Sequence, residues 1–237
     1  MDLPPELRLR VYKYYFANGG DAVDLDPDNH VRIGKAMALF KTCRAIYSEA
    51  ANFFYHNRTF RIFPCHPGKY FRSKRPLLAR LTPEQRSVIS SLELRLGPGW
   101  NKPPRGWVVN DALGLRDCAS VRKLQVFVEC DPSDGMFKGF RAADGFYEGF
   151  CREILRDVLA QLPSVRTIEF DAWPSVEKSG DMMRGLIDVV TALRVPIRWG
   201  PLRGWTDEDQ EDDMEFNMAR LSVGQPVLAN TFAGILA

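Results

Sequence analysis

Two hydrophobic rhythms run along this chain. Near the amino end, apolar residues recur at three- and four-residue steps, the spacing that lines one face of a helix. Leu3, Leu7, Val11 and Tyr14 or Tyr15 form such a stripe, with Arg8, Arg10 and Lys13 largely off it. Pro4 and Pro5 suit a first helical turn, where a missing N–H costs nothing, and Glu6 complements the positive end of the helix dipole. Asn18-Gly19-Gly20 predicts the stop, since glycine readily takes the left-handed cap conformation. Residues 18–34, rich in Asp, Asn and Gly with Pro27, read as a polar loop. A longer helix is predicted from about Arg32 to His56, with Leu39, Cys43, Ile46, Tyr47, Ala50, Phe53 and Phe54 at helical spacing. The alternating run Thr59-Phe60-Arg61-Ile62-Phe63 then suits a short strand.

After Thr82 the rhythm switches repeatedly between periods. Thr82-Pro83-Glu84-Gln85 has capping-box spacing with proline at the first helical position and introduces a brief helical turn. In Ile89–Leu96, Leu92, Leu94 and Leu96 alternate with Glu93 and Arg95, the pattern of a strand with one buried face. A short helix near Asp111–Ala119 precedes a strand at Val121–Val128. A strong helix at about Gly145–Leu162 leads into the strand Ser164–Phe170. Met182, Met183, Leu186, Ile187, Val190 and Leu193 mark another helix, and Val195–Trp199 a final strand. Pro196 places that strand at a sheet edge. Ser120-Val121-Arg122-Lys123-Leu124 and Ser164-Val165-Arg166-Thr167-Ile168 are near copies of one helix-to-strand junction. Helix, tight turn and strand in repetition favour parallel strands joined by right-handed crossovers.

The predicted fold class is therefore α/β: an N-terminal helical module, then irregular helix–strand repeats forming a mostly parallel sheet backed by helices. Their spacing, roughly 30 to 45 residues, suggests degenerate leucine-rich-repeat-like (LRR-like) units. The division is a helical module over 1–63, a linker over 64–81 and the repeat region over 82–237. The linker carries Pro64, Pro67 and Pro76 with Lys69, Arg72, Lys74, Arg75 and Arg80, plus Tyr70 and Phe71. It reads as an exposed, charged connection.

Two segments resemble a known module. Leu3-Pro4-x-Glu6-Leu7 with Val11-Tyr12 is similar to the opening helix of F-box motifs. Leu39-x-x-Thr42-Cys43-Arg44-x-Ile46-Tyr47-x-Glu49-Ala50, ending in Phe54-Tyr55-x-Asn57-x-Thr59-Phe60, is similar to the second block of fungal F-box-like proteins of uncharacterised function. The loop between the blocks is longer than in the compact F-box, and Tyr47 stands where many F-boxes carry tryptophan. The resemblance implies docking on the Skp-type linker protein of cullin-based ubiquitin ligases. The implied contact residues are Leu3, Pro4, Leu7, Val11, Leu39, Cys43, Arg44 and Tyr47. The repeat region would then recruit a client protein. The alternative is a self-contained structural or interaction domain whose F-box-like helices pack internally.

Composition adds limits. The 237 residues are 45% hydrophobic, enough for a sizeable core, and the net charge of +2 gives no reason to expect nucleic acid as partner. No run of about 18 apolar residues predicts a membrane span. The five cysteines, Cys43, Cys65, Cys118, Cys130 and Cys151, are scattered and contain no CxxC pair. They read as reduced thiols of a cytoplasmic or nuclear protein. The three histidines, His30, His56 and His66, belong to no catalytic signature, and no phosphate-cradling glycine loop occurs. Cys65-His66 is adjacent rather than spaced like metal ligands. No catalytic, cofactor or metal residue is expected. A hydrolase would need His56 or His66 gathered with a cysteine and a carboxylate. The acidic run Asp207–Asp213, with Glu215 beyond, lacks calcium-loop spacing and reads as solvated. Trp100, Trp107, Trp173, Trp199 and Trp205 fall near strand ends or turns, where tryptophan packs at a core edge or anchors a partner. The segment Ser222–Ala237 either caps the sheet or trails free.

Overall fold

A computed structural model describes residues 3–17, 22–24, 27–62, 77–96, 109–131 and 146–207. Six strands form one sheet in the order β1-β2-β3-β4-β5-β6: Ala22–Val23, Thr59–Ile62, Ser91–Leu96, Lys123–Val128, Thr167–Ala172 and Ile197–Trp199. Every neighbouring pair is parallel. Among the described residues there are six α-helices: α1 Pro5–Ala17 precedes β1, and α2 Pro27–Ala36, α3 Arg44–Asn57, α4 Pro83–Ser87, α5 Phe146–Gln161 and α6 Asp181–Ala192 lie in the connections between strands. When strands follow one another in sequence order and crossovers are right-handed, the connecting helices fall on one face of the sheet.

Burial along the strands bears this out. In β4 and β5 the even positions are buried and the odd ones half-buried. The buried rows cross the sheet in register: Phe60, Leu92, Leu124 and Ile168 in one, Ile62, Leu94, Val126 and Phe170 in the next. With Ile154, Leu155 and Val158 of α5 and Met182, Leu186 and Val190 of α6 they make one core. Burying such a side chain contributes about 1.5–3 kcal/mol, which is what fixes the register. The spacing between paired residues is 32 from Thr59 to Ser91 but 44 from Gln125 to Glu169, so the repeat is irregular in length.

Several boundaries differ from the sequence reading. The expected helix over Arg32–His56 is three pieces: α2, a 3₁₀ segment Met37–Lys41, and α3. The break falls at Cys43, which leaves helical conformation at φ −156° and caps α3. α2 also occupies Pro27–Ala36, much of the stretch read as polar loop. The predicted helix near Asp111 is a pair of 3₁₀ turns separated by Gly114, which sits at φ +72°. The sheet takes its first two strands from the first 63 residues, so the helical segments there are built onto it. Thr82 and Gln85 form the expected capping box, and β6 lies at the expected edge. The basic cluster Lys69–Arg75, Trp100, Trp107 and the acidic run beyond Asp207 lie outside the described residues.

Candidate interaction surfaces

α1 has two apolar faces, and only one is buried. The row Arg8, Tyr12, Phe16, four residues apart, faces α3. Tyr12 and Phe16 are 4% and 2% exposed. The Phe16 ring lies 5.2 Å from Phe54, 5.9 Å from Phe40 and 6.3 Å from Phe53, so one side chain ties α1 to the 3₁₀ segment and α3. Above it, Arg8 grips Glu49 of α3 with two hydrogen bonds of 2.8 and 2.7 Å, and the Tyr12 hydroxyl donates to Glu49 at 3.2 Å. Arg8 holds the Glu49 carboxyl below its usual range, and the hydrogen bond to Glu49 raises the guanidinium in turn. Burial, aided by Glu49, pushes the Tyr12 hydroxyl up.

The stripe singled out in the sequence lies on the other side of α1. Leu3, Leu7, Val11 and Tyr14 are 52%, 43%, 51% and 78% exposed. Pro4 is exposed and its carbonyl accepts the first helical hydrogen bonds, from Leu7 and Arg8 at 3.1 Å. In the second block, Leu39 is half-buried against the core, whereas Cys43, Arg44 and Tyr47 are exposed. Cys43 serves the fold locally, because its Sγ accepts from the Ile46 N–H at 3.5 Å as the cap of α3. Tyr47 packs edge-on against Phe40 at 5.8 Å and receives a long hydrogen bond, 3.4 Å, from Gln85 of α4. Of the eight implied contact residues, Leu3, Pro4, Leu7 and Val11 are exposed in and just before α1, Leu39 is half-buried, and Cys43, Arg44 and Tyr47 are exposed, with Tyr47 beside α4.

Between α1 and α3 runs an open groove of about 610 Å³. Pro5, Leu9 and Phe53 supply its apolar lining; Ser48, Asn52, His56 and Asn57 supply polar groups beside the Arg8–Glu49 pair. His56 and Glu49 both line the groove, but no cysteine among the described residues does, so a Cys–His–carboxylate set is not assembled there. Among the described residues no group of three or more His, Cys, Asp or Glu side chains is placed to hold a metal ion. Burial pushes the Cys118 thiol up to about 12 and raises the Cys151 thiol as well, both being buried core groups.

A second surface was not singled out in the sequence. The sheet face turned away from the helices carries a register row of Arg61, Glu93, Gln125, Glu169 and Arg198, one residue per strand. Arg61 pairs with Asp24 and with Glu93 at 3.1 Å. Arg95 lies 3.3 Å from Glu93 and 3.1 Å from Glu129, and Lys123 pairs with Glu169 at 2.7 Å. Toward the carboxyl ends of the strands the Arg95 guanidinium stacks 4.6 Å above the Phe127 ring, and Phe127 meets Trp173 edge-on at 5.4 Å. Trp173 is 43% exposed. The sequence signal for this face was the polar half of the alternation in β3, β4 and β5. Read strand by strand it is merely the polar side; the register turns it into one charged row, within which Glu93 is buried between Arg61 and Arg95.

No protein family, curated protein or solved structure matches this chain. No helix among the described residues is long and apolar enough to cross a membrane.

Proposed function

We propose that this chain is a non-catalytic interaction adaptor whose amino-terminal helices dock on a partner protein, as an F-box-type substrate receptor docks on the Skp-type linker of a cullin ubiquitin ligase. The LRR-like helix–strand repeats carry the client-recruiting surface. One observation carries the reading: Leu3, Leu7, Val11 and Tyr14 present a contiguous apolar stripe to solvent, on a helix whose opposite face already anchors it to the fold. Apolar surface of this kind, rimmed by polar residues such as Arg10 and Lys13, marks a protein contact more often than it is left wet. A helix offering residues at three- and four-residue steps suits a helical groove.

Co-precipitation of the full chain with a Skp-type linker tests this. Capture by the wild type, lost in Leu7→Asp and Val11→Asp variants that keep their far-UV circular dichroism, is the expected result. Absence of capture by the intact chain overturns the docking. The second reading is a self-contained interaction domain with no ubiquitin-ligase role. It draws on the tight internal packing of Tyr12, Phe16 and Phe54, and it is the one left standing if the linker is not captured.

A further inference from the structure

We infer that the edge of the sheet where the strands begin docks an extended acidic segment of another protein, gripped by an arginine in each of four helix-to-strand junctions. The inference rests on the adaptor reading for its purpose, since it names the chemistry of the client that such an adaptor would recruit.

The repeated junction supplies the row. The pairing of Thr59, Ser91, Lys123 and Thr167 places Arg58, Ser90, Arg122 and Arg166 level with one another, one step before the strands. The ladder reaches that step: the Arg122 N–H donates to the Ser90 carbonyl at 2.9 Å, and the Arg166 N–H to the Arg122 carbonyl at 2.9 Å. The last junction, Leu193–Pro196, adds Arg194. With strands about 4.8 Å apart, the row from β2 to β6 spans roughly 19 Å, the reach of about six extended residues.

Charge decides the class of occupant. The residues between each helical element and the strand after it are 58, 88–90, 118–122, 162–166 and 193–196, and they hold four arginines and no carboxylate. Asp117, just before its junction, is taken by Arg86 at 2.6 Å, and Glu169, inside β5, by Lys123 at 2.7 Å. In the last two turns of α3, α5 and α6 the carboxylates are Asp157, with Arg156 next to it, and Asp188; Glu84 is at the start of α4 rather than its end. An acidic segment meets attraction at this edge before contact.

The arginines are open to a ligand. Arg122, Arg166 and Arg194 are exposed, and none of them pairs with a carboxylate of the described residues. Arg122 uses Nη1 alone, which donates to the carbonyls of Ser164 at 3.1 Å and Ala119 at 3.5 Å, so its guanidinium is held at the edge with donors to spare. A guanidinium meets a carboxylate with two parallel N–H···O bonds, a fit that lysine does not offer. Pro163, Leu193 and Pro196 expose apolar surface beside the arginines, which matches a segment mixing acidic and apolar side chains. These junctions contain no aromatic residue on which the bases of a single-stranded nucleic acid would stack.

Fluorescence anisotropy tests the inference on the full chain, with a labelled peptide of alternating glutamate and leucine set against a length-matched arginine–leucine peptide and an oligothymidylate of equal charge. The glutamate peptide should bind, and weaken as salt rises. The arginine peptide should not bind, and the oligothymidylate should bind more weakly. Arg166→Gln and Arg194→Asn should each weaken binding about threefold and together about tenfold, with far-UV circular dichroism unchanged. Asparagine tolerates the φ of +56° at position 194. A variant of the 64–81 connection, Lys69→Gln, Arg72→Gln, Lys74→Gln and Arg75→Gln, should stay within about twofold of the wild type. Equal binding of the two peptides overturns the inference, as does tighter binding of the oligothymidylate. So does an unchanged affinity in the double variant, whether or not the 64–81 variant loses binding. Any of these failures leaves capture of the Skp-type linker through α1 untouched, and failed capture leaves this measurement untouched.

Discussion

The assignment of faces on α1 can be tested with a pair of truncations four residues or more apart on one helix. Phe16→Ala removes a ring that is 2% exposed and lies against Tyr15, Phe40, Phe53 and Phe54. A buried Phe→Ala change costs about 3–5 kcal/mol, from lost transfer energy plus the cavity left behind. Leu7→Ala removes a side chain that is 43% exposed on the opposite face, and surface truncations of this kind stay within about 0.5 kcal/mol. In a urea titration with a slope of about 3 kcal/mol per molar, the first change lowers the midpoint by roughly 1–2 M and the second by less than about 0.2 M.

The loss at Phe16 has a ceiling. α1 is held by Tyr12, Phe16 and the Arg8–Glu49 pair, so once that attachment is spent the helix detaches while the sheet persists. Hydrogen exchange reads this directly: amides of α1 lose protection in Phe16→Ala while those of β3–β5 keep theirs. If Leu7→Ala destabilises as much as Phe16→Ala, the stripe is a core face and the docking surface does not exist. If neither change is felt, α1 is not anchored as described.

Three other outcomes follow from named groups. Because Arg8 depresses the Glu49 carboxyl, the stabilisation from this pair is fully present above the ordinary glutamate range and is lost as pH falls through the depressed value; the fall in urea midpoint on acidification should be shallower in Glu49→Gln. Asp171 accepts from the backbone N–H groups of Leu202 and Arg203 at 3.1 and 2.9 Å, so Asp171→Ala should cost about 1–3 kcal/mol in the same titration and raise exchange in residues 200–207. Under native conditions at neutral pH, mass spectrometry after brief alkylation should find the exposed Cys43 modified and Cys118 and Cys151 protected until urea unfolds the sheet.

How far the sequence could be read depended on how many faces each element buries. β4 and β5 bury one face each, and β3 buries its leucine face and Glu93 besides, so the alternation of Leu92, Leu94 and Leu96 with Glu93 and Arg95 named the strand and its inner side together. β1 has only two residues and no room for alternation, so nothing local announces it; it exists because Ala22 and Val23 find Thr59 and Phe60. The break at Cys43 was hidden because Leu39 and Ile46 keep helical spacing across it.

α1 is the instructive case, because its pattern was legible and its orientation was not. Leu3, Leu7, Val11 and Tyr14 form the longer apolar row, and by hydrophobicity alone they would face inward. The row that does so contains an arginine. Arg8 is tolerable there because Glu49 on α3 meets it with both carboxylate oxygens, and that partner is 41 residues away in sequence. With Arg8 matched, Tyr12 and Phe16 bring in an aromatic cluster that the aliphatic row does not reach. The choice between faces is thus made by α3, through Glu49, Phe53 and Phe54, and no window along α1 contains it. Exchanging the pair, Arg8→Glu with Glu49→Arg, should keep α1 in place, while either change alone should loosen it. If both single variants leave α1 amides as protected as in the wild type, the pair has no part in the choice and the aromatic cluster alone sets which face turns outward.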